Sequence, residues 1–105
     1  MKKCLIDFEN IAWESPSDGV CYKSYVKGNQ RIRLVEFSEG FEEADWCTKG
    51  HAGYVLEGSF SLDFKGRFEK FRKGDILFIP EGSDYGHKAV LGKGEKVLLL
   101  LFEVV

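Results

Sequence analysis

Gly53-Tyr54-Val55-Leu56-Glu57-Gly58-Ser59-Phe60-Ser61-Leu62-Asp63-Phe64 is the stretch on which the fold turns. Its first half is rich in residues that favour extended backbone and predicts a strand stopping at Gly58. Its second half alternates, with Phe60, Leu62 and Phe64 on one face of another strand. Lys65-Gly66 then reads as a hairpin turn. The same grammar holds further out. Arg31-Ile32-Arg33-Leu34-Val35-Glu36-Phe37 is mostly alternating and runs into a turn at Ser38-Glu39-Gly40. Ile76-Leu77-Phe78-Ile79 reads as a short buried strand. Pro80-Glu81-Gly82 closes it, the proline fixing φ and the glycine permitting a positive φ. Val97 to Phe102 is apolar on both faces, as a central strand requires. Ser15-Pro16-Ser17-Asp18-Gly19 reads as a loop. No segment sustains a helical period, so the expectation is all-β, a sandwich or barrel.

Composition bounds the rest. The chain has 105 residues, 44% apolar and 30% charged, which fits one globular domain over 1–105. Fifteen Lys and Arg against 17 Asp and Glu leave a net charge of -2, so no basic face for nucleic acid or an anionic membrane is expected. The longest apolar run, Val97 to Phe102, is far short of the roughly 20 residues of a membrane span. The three cysteines, Cys4, Cys21 and Cys47, are widely spaced and form no CxxC, which excludes a zinc ribbon and a thioredoxin-type site. Their odd number points to a reducing compartment, hence a cytoplasmic protein. With 2 histidines, no metal site can draw three histidines from one chain.

Two blocks carry a family resemblance: Gly50-His51-Ala52-Gly53-Tyr54-Val55-Leu56-Glu57-Gly58, and Lys73-Gly74-Asp75-Ile76-Leu77-Phe78-Ile79-Pro80-Glu81-Gly82. Together they resemble the cupin motifs. Gly58 stands as the glycine of the first, and Gly74, Pro80 and Gly82 match the second in type and spacing. The resemblance covers about residues 31–103. It implies a cupin-type double-stranded β-helix, a jelly-roll barrel. Counted back from Gly58, the usual glutamate falls on His51 and the two histidines on Asp45 and Cys47. The histidine of the second motif falls on Tyr85, with His87 two residues on. Ala44-Asp45-Trp46-Cys47-Thr48-Lys49-Gly50-His51 resembles the DHCW-motif cupin family more closely. Trp46, Cys47, Gly50 and His51 match, while Ala44 and Asp45 stand where that family has Asp and His.

On this mapping Asp45 and Cys47 share a strand face, as do Tyr85 and His87 if extended, and all look into the barrel with His51. One carboxylate, one thiolate and two imidazoles suit a divalent metal such as Zn²⁺ or Fe²⁺. The metal candidates are therefore His51, His87, Cys47 and Asp45. Cys47 beside His51 is also a nucleophile candidate, although four residues across a turn do not establish reach. Tyr85, Trp46 and Arg33 are the ligand-pocket candidates; Arg31 and Arg33 share a face and the geometry to bind a carboxylate.

Three function classes stay open. One is a barrel that binds a small molecule, with or without a divalent metal, as sensor or carrier. Another is a metal-dependent enzyme, an oxygenase or isomerase, on a small polar substrate. The last is a structural or interaction protein whose barrel is filled by its own side chains. A homodimer is expected, because a small barrel must protect its edge strands and the apolar C-terminal run is available to pack.

Overall fold

The computed structural model describes residues 4–105. Eight strands carry it: β1 (Glu14–Ser17), β2 (Val20–Lys27), β3 (Gln30–Ser38), β4 (His51–Phe64), β5 (Arg67–Arg72), β6 (Ile76–Ile79), β7 (Lys88–Val90) and β8 (Lys96–Val104). They are ordered β1-β2-β3-β8-β4-β5, with β6 and β7 also on β4, and all pairings are antiparallel. The first half of β4 pairs with β6 and β8, its second half with β5 and β7. One 14-residue strand thus belongs to two sheets, and the fold is the expected all-β jelly-roll barrel.

Gly58 does not end a strand, as its neighbours predict; it bends one. Its φ is +79°, and a Cβ there would lie 1.8 Å from the carbonyl oxygen of Lys96. Next to it the register of β4 against β8 slips between Val55 and Glu57. The slip changes which parity faces inward. His51 and Val55 point in before it, Phe60 and Leu62 after it. Without that extra residue, either His51 or the phenylalanine face would turn to solvent.

Other differences follow from tertiary placement. Residues 14–17 form an edge strand rather than a loop, a position where Pro16 loses no ladder bond that matters. Strand β6 is buried on one face only: Leu77 and Ile79 enter the core, while Ile76 and Phe78 are 78% and 77% exposed. Strand β8 is central, between β3 and β4, yet only Val97, Leu99 and Leu101 reach the core. Leu98, Leu100 and Phe102 point outward. The Lys65-Gly66 turn is as read, with both residues at positive φ, 57° and 105°, as a tight hairpin of this hand requires.

The core is centred on Phe60, whose ring lies 5.7 Å from that of Phe71 and 6.4 Å from that of Phe37. Val35, Val55 and Val97 are fully buried around it. Phe60, Phe37 and Val35 also form part of the wall of a cavity inside the barrel. No described helix is long and apolar enough to cross a membrane.

Candidate metal centre

The barrel holds a cavity of about 330 Å³. Phe41, Phe60, Leu62, Leu77 and Leu99 supply apolar wall, so the barrel is not filled by its own side chains. Cys47, His51 and His87 sit in the same wall, and one ligand atom from each lies within 4.8 Å of the others. Three separate segments bring them together. His51 opens β4. Cys47 and His87 lie in loops that clamp each other: Cys47 N–H donates to the His87 carbonyl at 2.9 Å, and His87 N–H to that of Cys47 at 3.0 Å.

The imidazoles are oriented from behind. His87 Nδ1 lies 2.9 Å from the carbonyl oxygen of Tyr85, which fixes the proton on Nδ1 and leaves Nε2 as a donor atom. His51 Nδ1 lies 2.6 Å from Glu103 Oε2, approached off the N–H axis, so the contact is electrostatic rather than a straight hydrogen bond. His51 Nε2 then faces Cys47 Sγ at 3.6 Å. In a tetrahedral site with bonds of about 2.0 and 2.3 Å, neighbouring N and S ligands stand about 3.5 Å apart. The pair already has that spacing.

Glu103 is the pivot of the charge network. Its side chain is 2% exposed and accepts from Arg31 Nε at 3.0 Å, Arg33 Nε at 2.6 Å and Arg33 Nη2 at 2.8 Å. Burial works against its charge, but His51 and Arg33 outweigh burial and hold its carboxyl well below the usual carboxylate range. Burial likewise opposes an imidazolium at His51, but Cys47 and Glu103 push its pKa up to about 9. Hydrogen bonds from His51 and His87 bring the Cys47 thiol down to about 5, against burial. Without a metal, Cys47 and His51 are a thiolate and an imidazolium in contact; the two titrate as a pair. The structure thus gives the reach between them that their sequence spacing leaves open.

Three of the expected site residues lie elsewhere. Asp45 is exposed and lines no part of the cavity. It sits in a bend, where the rule that residues two apart share a face does not apply. Trp46 lies outside the barrel too, with the ammonium groups of Lys88 and Lys65 at 4.7 and 5.9 Å from its ring. Tyr85 ends a single 3-10 turn, Ser83–Tyr85, so its side chain leaves the cavity while its carbonyl holds His87. Arg33 does line the cavity. Glu103 and Glu43 are the residues that sequence reasoning missed. Glu103 has the same parity as Val97, Leu99 and Leu101, so alternation carried one residue further marks it as inward. Glu43 lies in a segment without period; its Oε1 accepts the Ala89 N–H at 2.9 Å, and burial raises its pKa despite that bond.

No protein-family model and no curated protein sequence matches the chain. Solved structures do. The polyketide cyclase RemF from Streptomyces resistomycificus superposes with a TM-score of 0.79 at 22% identity, covering 99% of this chain and 80% of that one. An RmlC-like cupin from Shewanella frigidimarina gives 0.75 at 18% identity, over 98% and 91% of the two chains. A sugar phosphate isomerase from a cupin superfamily, from Silicibacter pomeroyi, gives 0.78 at 17% identity, over 96% and 75%. The fold is therefore the cupin fold. These likenesses extend over nearly the whole chain and bear on the fold alone.

Proposed function

We propose that this protein is a small-molecule-binding cupin that holds a divalent metal, Zn²⁺ or Fe²⁺, on Cys47, His51 and His87. The observation that carries the reading is the convergence of these side chains in the wall of a ligand-sized cavity, with His87 held at Nδ1 by the Tyr85 carbonyl and His51 Nδ1 facing the Glu103 carboxylate. A thiolate with two imidazoles suits Zn²⁺ best among common divalent ions, and three protein ligands leave a position for water or substrate. A metal held so supplies Lewis acidity or an activated water. The likeness to an isomerase and a cyclase supports an enzyme working on that principle. The match of Trp46, Cys47, Gly50 and His51 to the DHCW-motif cupins supports a place among them.

Metal analysis of untagged protein, as purified and after incubation with Zn²⁺, Fe²⁺ and Mn²⁺, tests the reading. One equivalent of bound metal is expected. No metal under any of these conditions overturns it and leaves a metal-free ligand pocket.

A further inference from the structure

The polar end of the cavity carries more positive charge than its own carboxylates use. Arg31, Arg33 and Lys49 all line it. Glu103 is one carboxylate shared by two guanidinium groups and by His51. Arg33 spends one whole edge on Glu103, through Nε and Nη2, and its guanidinium carbon lies 5.6 Å from the centre of the Tyr22 ring. Arg31 donates through Nε alone, and its Nη groups have no hydrogen-bond partner among the described residues. Glu43, the other acid in the wall, is engaged with the Ala89 N–H. A guanidinium with a free donor edge, beside an apolar wall, fits a planar two-oxygen anion in geometry and charge.

We propose that the ligand of this cavity is a small carboxylate with an apolar body, its carboxylate paired with the free edge of Arg31 and its body against Phe41, Phe60 and Leu77. This rests on the reading of the cavity as the ligand site and names its ligand class. At about 330 Å³ the cavity is at the small end of ligand sites, which run to about 1,000 Å³, so the body is no larger than one ring or a short chain.

The test compares 3-phenylpropionate with its neutral amide by calorimetry and by the Arg Nε–H resonances, in metal-free and Zn²⁺-loaded protein. The carboxylate is expected to bind about tenfold more tightly or better. Arg31→Gln should abolish that preference, bringing the carboxylate down to about the affinity of the amide; Arg33 still holds Glu103 in this variant. Equal affinities, or no response to either probe at about 10 mM, overturn the proposal. A preference that survives Arg31→Gln but needs metal also overturns it, since the anion would then be a metal ligand. Metal content is scored separately, so failure of the metal reading stays distinct.

Discussion

Glu103 Oε2 stands 2.6 Å from His51 Nδ1, on the side of the ring away from Cys47. One buried carboxylate therefore orients the imidazole that faces the thiol, and two arginines orient the carboxylate. The chain from Arg33 through Glu103 and His51 to Cys47 is short, and each link has a separate experimental handle.

Removing that carboxylate should loosen the centre and weaken the fold. Glu103→Ala leaves two guanidinium groups without their shared partner. The expected loss is about 3 kcal/mol, the low end for breaking a buried pair, because both arginines keep some contact with water. Urea unfolding measures it. Glu103→Gln keeps the shape, and it should lower metal affinity about 10–100-fold through the orientation of His51. Unchanged affinity would mean that Glu103 serves the fold alone.

The metal set is decided by three positions and not by a fourth. His51→Ala and His87→Ala should each remove most bound metal, since one imidazole and one thiolate remain. Asp45→Asn should remove none, because Asp45 lies outside the cavity. Elemental analysis at equal folded fraction reads all three. Loss of metal in Asp45→Asn would contradict this geometry.

In metal-free protein, the thiol of Cys47 should alkylate with a midpoint near pH 5, far below an ordinary thiol. Mass spectrometry separates its adduct from those at Cys4 and Cys21, and prior loading with Zn²⁺ should protect it. The sign of the stability effect follows from the two shifts. The folded pKa of Cys47 is depressed from 9.0 to about 5, so its contribution is full above pH 9 and lost as pH falls toward 5. That of His51 is raised from 6.5 to about 9, so its contribution is full below pH 6.5 and lost as pH rises through 9. The charged pair therefore persists between about pH 5 and pH 9. Alkylation that rises only above pH 8 would show that no such pair forms.

Gly58→Ala should cost more than about 3 kcal/mol, well above an ordinary surface change. The added methyl would stand 1.8 Å from a backbone oxygen at a φ of +79°, and neither can shift without moving β4 against β8. Gly94→Ala is the control, with positive φ but open space around it. It should cost only about 1 kcal/mol. Thermal melts of both variants give the comparison.

Local chemistry was enough for the strands, because alternation and turn residues act within a few positions of one another. Phe60, Leu62 and Phe64 share a face as read, and Lys65-Gly66 turns the chain as read. That Arg31 and Arg33 share a face was legible for the same reason; that the face looks into the cavity was not. Alternation could not show that Gly58 bends a strand instead of ending it, since the crowding comes from Lys96, 38 residues away in sequence. Nor could it place Asp45, Trp46 or Tyr85, which lie in a bend, the irregular residue after it and a 3-10 turn, where side chains have no period of two. The union of Cys47 with His87, and of His51 with Glu103, belongs to tertiary structure. Each is made by backbone pairing between distant segments, and only the closed barrel sets those registers.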